Sequence, residues 1–352
     1  MSCGFIGSVQ PSRRWQLETI LAAASVAAIG PLVVSTACAY RLYGSWSAAG
    51  RRALAPEQVV AITGCDSGLG YSLALHCREQ GATVVAGVLQ RDGPAATCLG
   101  KRGVRVLALD VTEEASVRTF GNELTRMLDD EHLELRALVN NAGVMIFGEF
   151  EWQLTRQVRH QVEVNVVGTM RLTRELLPEL RKHRGRIINV TSHCALASLP
   201  GLAVYGATKA ALRAWTDSLR VELAKYGVGV VNFIPGSFPT ESNIFSQQSR
   251  HFDEMRAGMS QEARRFYADY FDRYAGYLAA LANDNGLRRL ENAKLYEIFD
   301  DALLSQRPSA LYKCEPWRYT IYHALFRVAP TPLRDWLVER FVRMPSWTSV
   351  RR

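Results

Sequence analysis

Gln58-Val59-Val60-Ala61-Ile62-Thr63-Gly64-Cys65-Asp66-Ser67-Gly68-Leu69-Gly70 decides the fold of this chain. An apolar run of buried-strand type, Gln58 to Ile62, passes into a glycine-rich turn, Thr63 to Gly70, and then into a helical pattern from Tyr71 to Gln80. Glycines at such a junction let the backbone approach a pyrophosphate, while the helix behind it offers free amides and the positive end of its dipole. The plain alternative is a tight strand-to-helix turn with no ligand. Working outward, the alternation repeats: strands are expected near 58–63, 82–88, 104–109, 135–140, 185–191 and 228–234, with a seventh near 309–312. Strand alternating with helix specifies a doubly wound α/β fold, a parallel sheet covered on both faces.

A second stretch carries chemistry. Tyr205-Gly206-Ala207-Thr208-Lys209 puts a phenol and an ammonium four residues apart, on one face of a helix, with Ser192 thirteen residues upstream at the end of the strand-like Arg186 to Thr191. A free tyrosine titrates near pH ~10. A neighbouring cation is expected to lower that value and make Tyr205 an acid or base, while the Ser192 hydroxyl holds a substrate oxygen. Taken alone, a tyrosine and lysine at this spacing also describe an ordinary exposed helix. His193, beside Ser192, invites a Ser/His hydrolase reading, but no acidic orienter is visible nearby in sequence. Asn165 sits in the apolar run Val162 to Val167, where its amide must find a partner, backbone included.

Together the ordered set Thr63-Gly64-x-x-x-Gly68-x-Gly70, Asp110-Val111, Asn140-Asn141-Ala142-Gly143, Asn165, Ser192, Tyr205-x-x-x-Lys209 and Pro235-Gly236 resembles the short-chain dehydrogenase/reductase family over about residues 57 to 240. Cys65-Asp66-Ser67, Ala86 to Leu89, Phe147 to Glu149 and Arg343-Met344-Pro345 resemble the branch holding retinol, 17β-hydroxysteroid (type 2) and 3-hydroxybutyrate dehydrogenases. The resemblance implies a Rossmann-type fold. It makes Tyr205 the acid/base, Lys209 the ligand of the nicotinamide ribose, Ser192 the holder of the carbinol oxygen and Asn165 the support of a water relay. Gly64, Asp66, Ser67, Gly68, Leu69 and Gly70 would cradle the cofactor, Asp110 and Val111 flank the adenine, and Asn141, Ala142 and Gly143 floor the pocket. Pro235, Gly236 and Thr240 would meet the nicotinamide end. Without the family, Asn140 to Gly143 is a simple turn and Asp110 an N-cap ahead of Glu113.

Cofactor choice rests on few residues. The second strand, Ala82 to Leu89, lacks the terminal acid that binds an adenosine ribose. Arg91 offers a contact for a 2′-phosphate or is simply a loop residue, whereas Asp66 would repel one. NAD is expected, with NADP the alternative.

The ends of the chain point to a membrane. Thr19 to Tyr40 holds 22 residues without a charge, enough to cross a hydrocarbon core of about 30 Å, and is expected to be a transmembrane helix. A signal peptide cleaved near Ala37-Cys38-Ala39 and a mitochondrial presequence are the alternatives. Residues 1–56 carry five arginines and one acid, and residues 307–352 carry nine cations and three acids, so the net +8 lies in the ends and the body is slightly acidic. That distribution speaks against nucleic acid and for an anionic membrane surface. Aromatics and arginines interleave from Trp317 to Trp347, a pattern that suits either the headgroup layer or an amphipathic helix packed on the domain. Seven scattered cysteines show no spacing for a disulfide framework or a metal, so no metal is expected.

Three segments are expected: an anchor and linker, 1–56; a catalytic domain, 57–306, with a substrate lobe at about 237–303; and a basic aromatic segment, 307–352. In the lobe, Met255, Met259, Phe266, Tyr267, Tyr270, Phe271, Tyr274 and Tyr277 suggest a lid for a steroid-like or retinoid-like substrate, half of them serving as the lobe's own core. Arg250 and His251 would instead suit a small carboxylate, as a mitochondrial 3-hydroxybutyrate enzyme requires. The expected function is a membrane-anchored, NAD-dependent alcohol oxidoreductase of the endoplasmic reticulum. By family analogy it pairs with a second copy through 152–182 and 205–226. A membrane-tethered binding protein without catalysis is the rival from another class.

Overall fold

The strands expected from the apolar runs form one seven-stranded, fully parallel sheet in the order β3-β2-β1-β4-β5-β6-β7. They are β1 Gln58–Thr63, β2 Thr83–Val88, β3 Arg105–Ala108, β4 Glu134–Asn140, β5 Arg186–Val190, β6 Gly229–Ile234 and β7 Leu311–Lys313. This computed structural model describes residues 50–236, 243–279, 286–342 and 344–347. The chain divides into two units, 1–50 and 51–352. The apolar span Thr19–Tyr40 and Thr240 lie outside the described residues, among which no helix is long and apolar enough to cross a membrane.

Each strand feeds a helix: α1 Gly68–Glu79, α2 Pro94–Lys101, α3 Glu114–Asp130, α4 Thr155–Val162, α5 Thr169–Lys182 and α6 Ala203–Ala224. A π-helical turn, Glu163–Gly168, joins α4 to α5. β1 shows why the sheet must be covered on both sides. Val60 and Ile62 face a cluster with Leu73, Leu99 and Phe299, whereas Val59 and Ala61 face Leu124, Leu176 and Leu219. All four β1 side chains are fully buried. Burial of each larger one stabilises by about 1.5–3 kcal/mol, and only a two-faced sheet captures that from consecutive residues.

β1 has β2 on one side and β4 on the other, in register Ile62↔Ala86 and Ile62↔Val139. The winding direction reverses there, which opens a crevice at the carboxyl ends of β1 and β4. Asn141 fixes the rim: its amide donates to the Thr63 and Gly64 carbonyls at 2.8 and 3.1 Å, while the Thr63 hydroxyl accepts from the Asn141 and Ala142 amides.

Beyond β6 lie α7 Gln248–Gly258, α8 Gln261–Ala279, kinked at Ala268 (φ +38°), and α9 Ala293–Leu304. Trp152 is almost fully buried here, its ring 4.9–5.7 Å from those of Tyr267, Tyr270, Phe271 and Tyr274. The aromatics expected as a lid are thus mainly the lobe's own core. Phe266 and Tyr277 instead face outward. Buried Arg186, at the start of β5, donates to the Ala302 and Ser305 carbonyls at the carboxyl end of α9 at 2.7 and 2.6 Å. α10 Trp317–Val328 and α11 Thr331–Val342 complete the described chain.

Candidate active site

A cavity of about 530 Å³ runs from the glycine turn to Asn243, Ile244 and Phe245, ahead of α7. At its nucleotide end, Gly64 (φ +68°) and Gly68 (φ +56°) adopt backbone conformations that side chains strain. A Cβ on Gly70 would stand 2.2 Å from the Gly64 carbonyl oxygen, so helix and strand meet backbone to backbone. Ser67 caps α1 without a side-chain bond, leaving the first amides of the helix to point at the cavity. Gly64, Ser67, Gly68, Leu69, Asp110, Val111, Asn141, Ala142, Gly143, Pro235 and Gly236 line the wall as expected. Asp110 is not an N-cap: its carboxylate accepts from the Thr112 amide and hydroxyl at 2.9 and 2.7 Å, and the cap of α3 is Glu113.

Asp66 holds a position that its place in the sequence does not reveal. Its carboxylate accepts from the Leu89 amide at 2.9 and 3.0 Å and from the Gln90 amide at 3.3 Å. The acid missing from the end of β2 is therefore supplied there by the glycine turn. Arg91 is exposed and is not part of the wall.

Tyr205 and Lys209 lie on successive turns of α6, and Ser192 follows β5; all three line the cavity. The Ser192 hydroxyl accepts from the Cys194 amide at 3.2 Å and lines the same cavity as the Tyr205 phenol. Lys209 Nζ donates to the Val190 carbonyl at 3.0 Å and sits 5.8 Å from the centre of the Tyr205 ring. Burial dominates both titrations. It pushes the phenol above the ordinary tyrosine range, reinforced by Cys194 and only partly offset by Ser192, and it lowers the Lys209 ammonium to about 8. The phenol therefore lies above its ordinary value and not below it as expected, because burial disfavours the phenolate.

Lys209 has a measurable consequence. Its folded pKa of about 8 lies below the ordinary lysine value of 10.5. Between those values the unfolded chain holds more protons, so stability contributed by this group rises with pH across the window. Lys209→Met should therefore melt at its largest advantage over the native chain below pH 8. The gap should narrow towards pH 10.5 in paired thermal denaturation; a gap independent of pH contradicts the burial argument.

Asn165 and Gly70 stand behind the wall. The Asn165 side chain exchanges two 2.8 Å bonds with the Val144 backbone and donates to Thr208 Oγ1 at 3.1 Å. Its side-chain amide thus holds the loop after β4 against α6. Gly143 is boxed by it: a Cβ there would meet Asn165 Oδ1 and Lys209 Nζ, each at 3.3 Å.

The far end is mainly apolar, with Met145, Phe147, Leu199, Leu202, Ile244 and Phe245 on the wall. Arg250 and His251 are not part of it; Arg250 is three-quarters exposed and paired with Glu254 at 3.2 Å. Tyr319, His323 and Phe341 close the cavity from α10 and α11, which sequence periodicity did not reveal. The C-terminal segment thus packs on the domain through one face, while Trp317, Ile321, Leu325 and Val328 remain exposed on α10. The acid absent beside His193 in sequence is Glu315, whose Oε2 is 3.3 Å from His193 Nδ1.

A family model described as short chain dehydrogenase matches residues 58–251. Estradiol 17-beta-dehydrogenase 2 of Rattus norvegicus is 31% identical over 319 residues, covering 88% of this chain and 81% of its own. D-beta-hydroxybutyrate dehydrogenase, mitochondrial, of Mus musculus is 35% identical over 199 residues, covering 55% and 58%. Retinol dehydrogenase 7 of Mus musculus is 29% identical over 297 residues, covering 84% and 90%. A solved short-chain dehydrogenase from Streptomyces avermitilis shares the fold with a TM-score of 0.59 at 23% identity, covering 81% of this chain and 98% of its own.

Proposed function

The chain belongs to the short-chain dehydrogenase family, and on that premise we propose that it is a membrane-anchored, NAD-dependent oxidoreductase interconverting an alcohol and its carbonyl on a steroid-like or retinoid-like substrate. The observation that carries the reading is one cavity with a glycine cradle at one end and the Ser192, Tyr205 and Lys209 side chains facing an apolar chamber at the other. The cradle fits a dinucleotide, because the free amides of α1 and the absence of a Cβ at Gly64 and Gly70 leave the backbone itself as the phosphate ligand. When bound, a nicotinamide cofactor supplies or accepts the hydride. The Ser192 hydroxyl holds the substrate oxygen, and Tyr205 gives or takes its proton. Lys209, braced on the Val190 carbonyl, presents its ammonium beside the phenol and towards a ribose.

Asp66 at the end of β2 supports NAD, since its carboxylate suits a ribose hydroxyl and repels a 2′-phosphate. The apolar chamber and the outward, ion-paired Arg250 support a lipophilic substrate over a short hydroxy acid. The exposed apolar face of α10 supports membrane contact, alongside the uncharged span at 19–40. A homodimer remains part of the proposal on family analogy.

The test is turnover of full-length chain in membranes against a steroid alcohol, a retinol and 3-hydroxybutyrate, each with NAD and NADP. The steroid or retinol with NAD should dominate, and in Asp66→Ser the NAD-to-NADP ratio of kcat/KM should fall at least about tenfold, equivalent to about 1.4 kcal/mol. Preference for 3-hydroxybutyrate, or an unchanged ratio in Asp66→Ser, would overturn the substrate or cofactor assignment respectively.

A further inference from the structure

We propose that His193, Glu315 and His323 form a site for a divalent transition metal of the zinc class, which fastens the C-terminal helices to the loop that carries Ser192. Nothing in the alcohol chemistry uses these three side chains together, and sequence spacing hides them: 122 residues separate the first two. The fold brings them to one point, with candidate ligand atoms all within 4.8 Å of one another.

Both glutamate–histidine edges of the cluster have the length found in a metal shell. Glu315 Oε2 lies 3.3 Å from His193 Nδ1 and 3.4 Å from His323 Nδ1. Ligand bonds of about 2.0–2.1 Å at tetrahedral angles put neighbouring donor atoms about 3.3 Å apart. All three side chains are at least nine-tenths buried. His193 Nδ1 and Nε2, His323 Nδ1 and Glu315 Oε2 each lack a hydrogen-bond partner, a costly state for buried polar atoms.

The surroundings prepare the ligands. Glu315 Oε1 accepts from Thr320 Oγ1 at 3.1 Å, which orients the carboxylate with Oε2 towards the imidazoles, and also from Lys313 Nζ at 2.7 Å. Burial keeps both imidazoles neutral, the ligating form, taking His193 down to about 4. Two histidines and one glutamate leave a fourth position for water. Two cations oppose the site without filling it: Lys313, beside the carboxylate, and Arg327, which acts on His323. Tyr319 and Phe341, from the same helices, close the substrate cavity, so an ion here would hold the cavity wall in place.

Full-length protein in detergent, free of any polyhistidine tag and stripped with chelator, is titrated with Zn2+ by calorimetry and with Co2+ by visible absorption. One ion per chain, tetrahedral d–d bands and a higher unfolding midpoint with Zn2+ are expected. His323→Asn and Glu315→Gln should each weaken affinity at least a hundredfold, and Lys313→Met should strengthen it several-fold. Absence of stoichiometric binding by the native chain, or native affinity in both ligand variants, would overturn the site. If a ligand variant fails to fold without metal, the native titration and Lys313→Met decide: tighter binding supports the site and unchanged binding overturns it.

Discussion

Tyr205→Phe should yield a folded protein that binds cofactor as the native chain does and turns over at least about a thousandfold more slowly. The ring is buried against the cluster of Ile146, Phe147 and Leu202, and phenylalanine keeps that packing. What disappears is one hydroxyl, the proposed proton carrier, which lines the cavity together with Ser192. Losing a positioned acid or base removes about 10²- to 10⁴-fold in rate. Lys209 titrates at about 8 but is tied to the Val190 carbonyl, and Cys194 is held protonated by burial. The measurement is kcat with a steroid alcohol and NAD, beside the cofactor Kd by fluorescence. Turnover within tenfold of native would remove Tyr205 from the chemistry, and a lost cofactor Kd would make it a structural residue.

Local signals explain what was legible in the sequence. The seven strands lie within a few residues of their apolar runs, because a strand buried on both faces needs an unbroken hydrophobic stretch and tolerates little ambiguity. Most residues expected at the nucleotide site line one cavity, because they sit at strand ends fixed by the sheet register.

Contacts across long sequence distances were not legible. Asp66 reaches the end of β2 only because the turn folds back over 23 residues, and the acid expected within the strand is thereby replaced. Aromatic periodicity from Met255 to Tyr277 correctly marked buried faces, yet it cannot separate a lobe's own core from a ligand's wall; Trp152 claims those rings. The metal cluster was invisible for the same reason. Its histidines and glutamate have no mutual spacing, and only the packing of α10 on the loop after β5 joins them.

Gly70→Ala carries the second large effect, and it tests the other end of the cavity. A methyl group there would lie 2.2 Å from the Gly64 carbonyl oxygen and 2.5 Å from Asn141 Nδ2. Neither neighbour is free to yield. Gly64 is held in its left-handed conformation, and Asn141 Nδ2 bridges the Thr63 and Gly64 carbonyls. The helix must therefore move off the strand, at an overpacking cost of about 1–3 kcal/mol in stability. The same movement displaces the amides of α1 from the cradle, so cofactor affinity should fall at least a hundredfold, beyond what the stability loss alone implies. Gly100→Ala is the control: no atom lies within 4 Å of the added methyl, and the site is on α2 near its end. Alanine there should leave cofactor binding unchanged and hold or slightly raise the unfolding midpoint, since it favours helix over glycine by up to about 1 kcal/mol. Calorimetric NAD titration and thermal unfolding of the two variants side by side separate the effects. Native affinity in Gly70→Ala would mean that the close approach of helix and strand does not shape the nucleotide site.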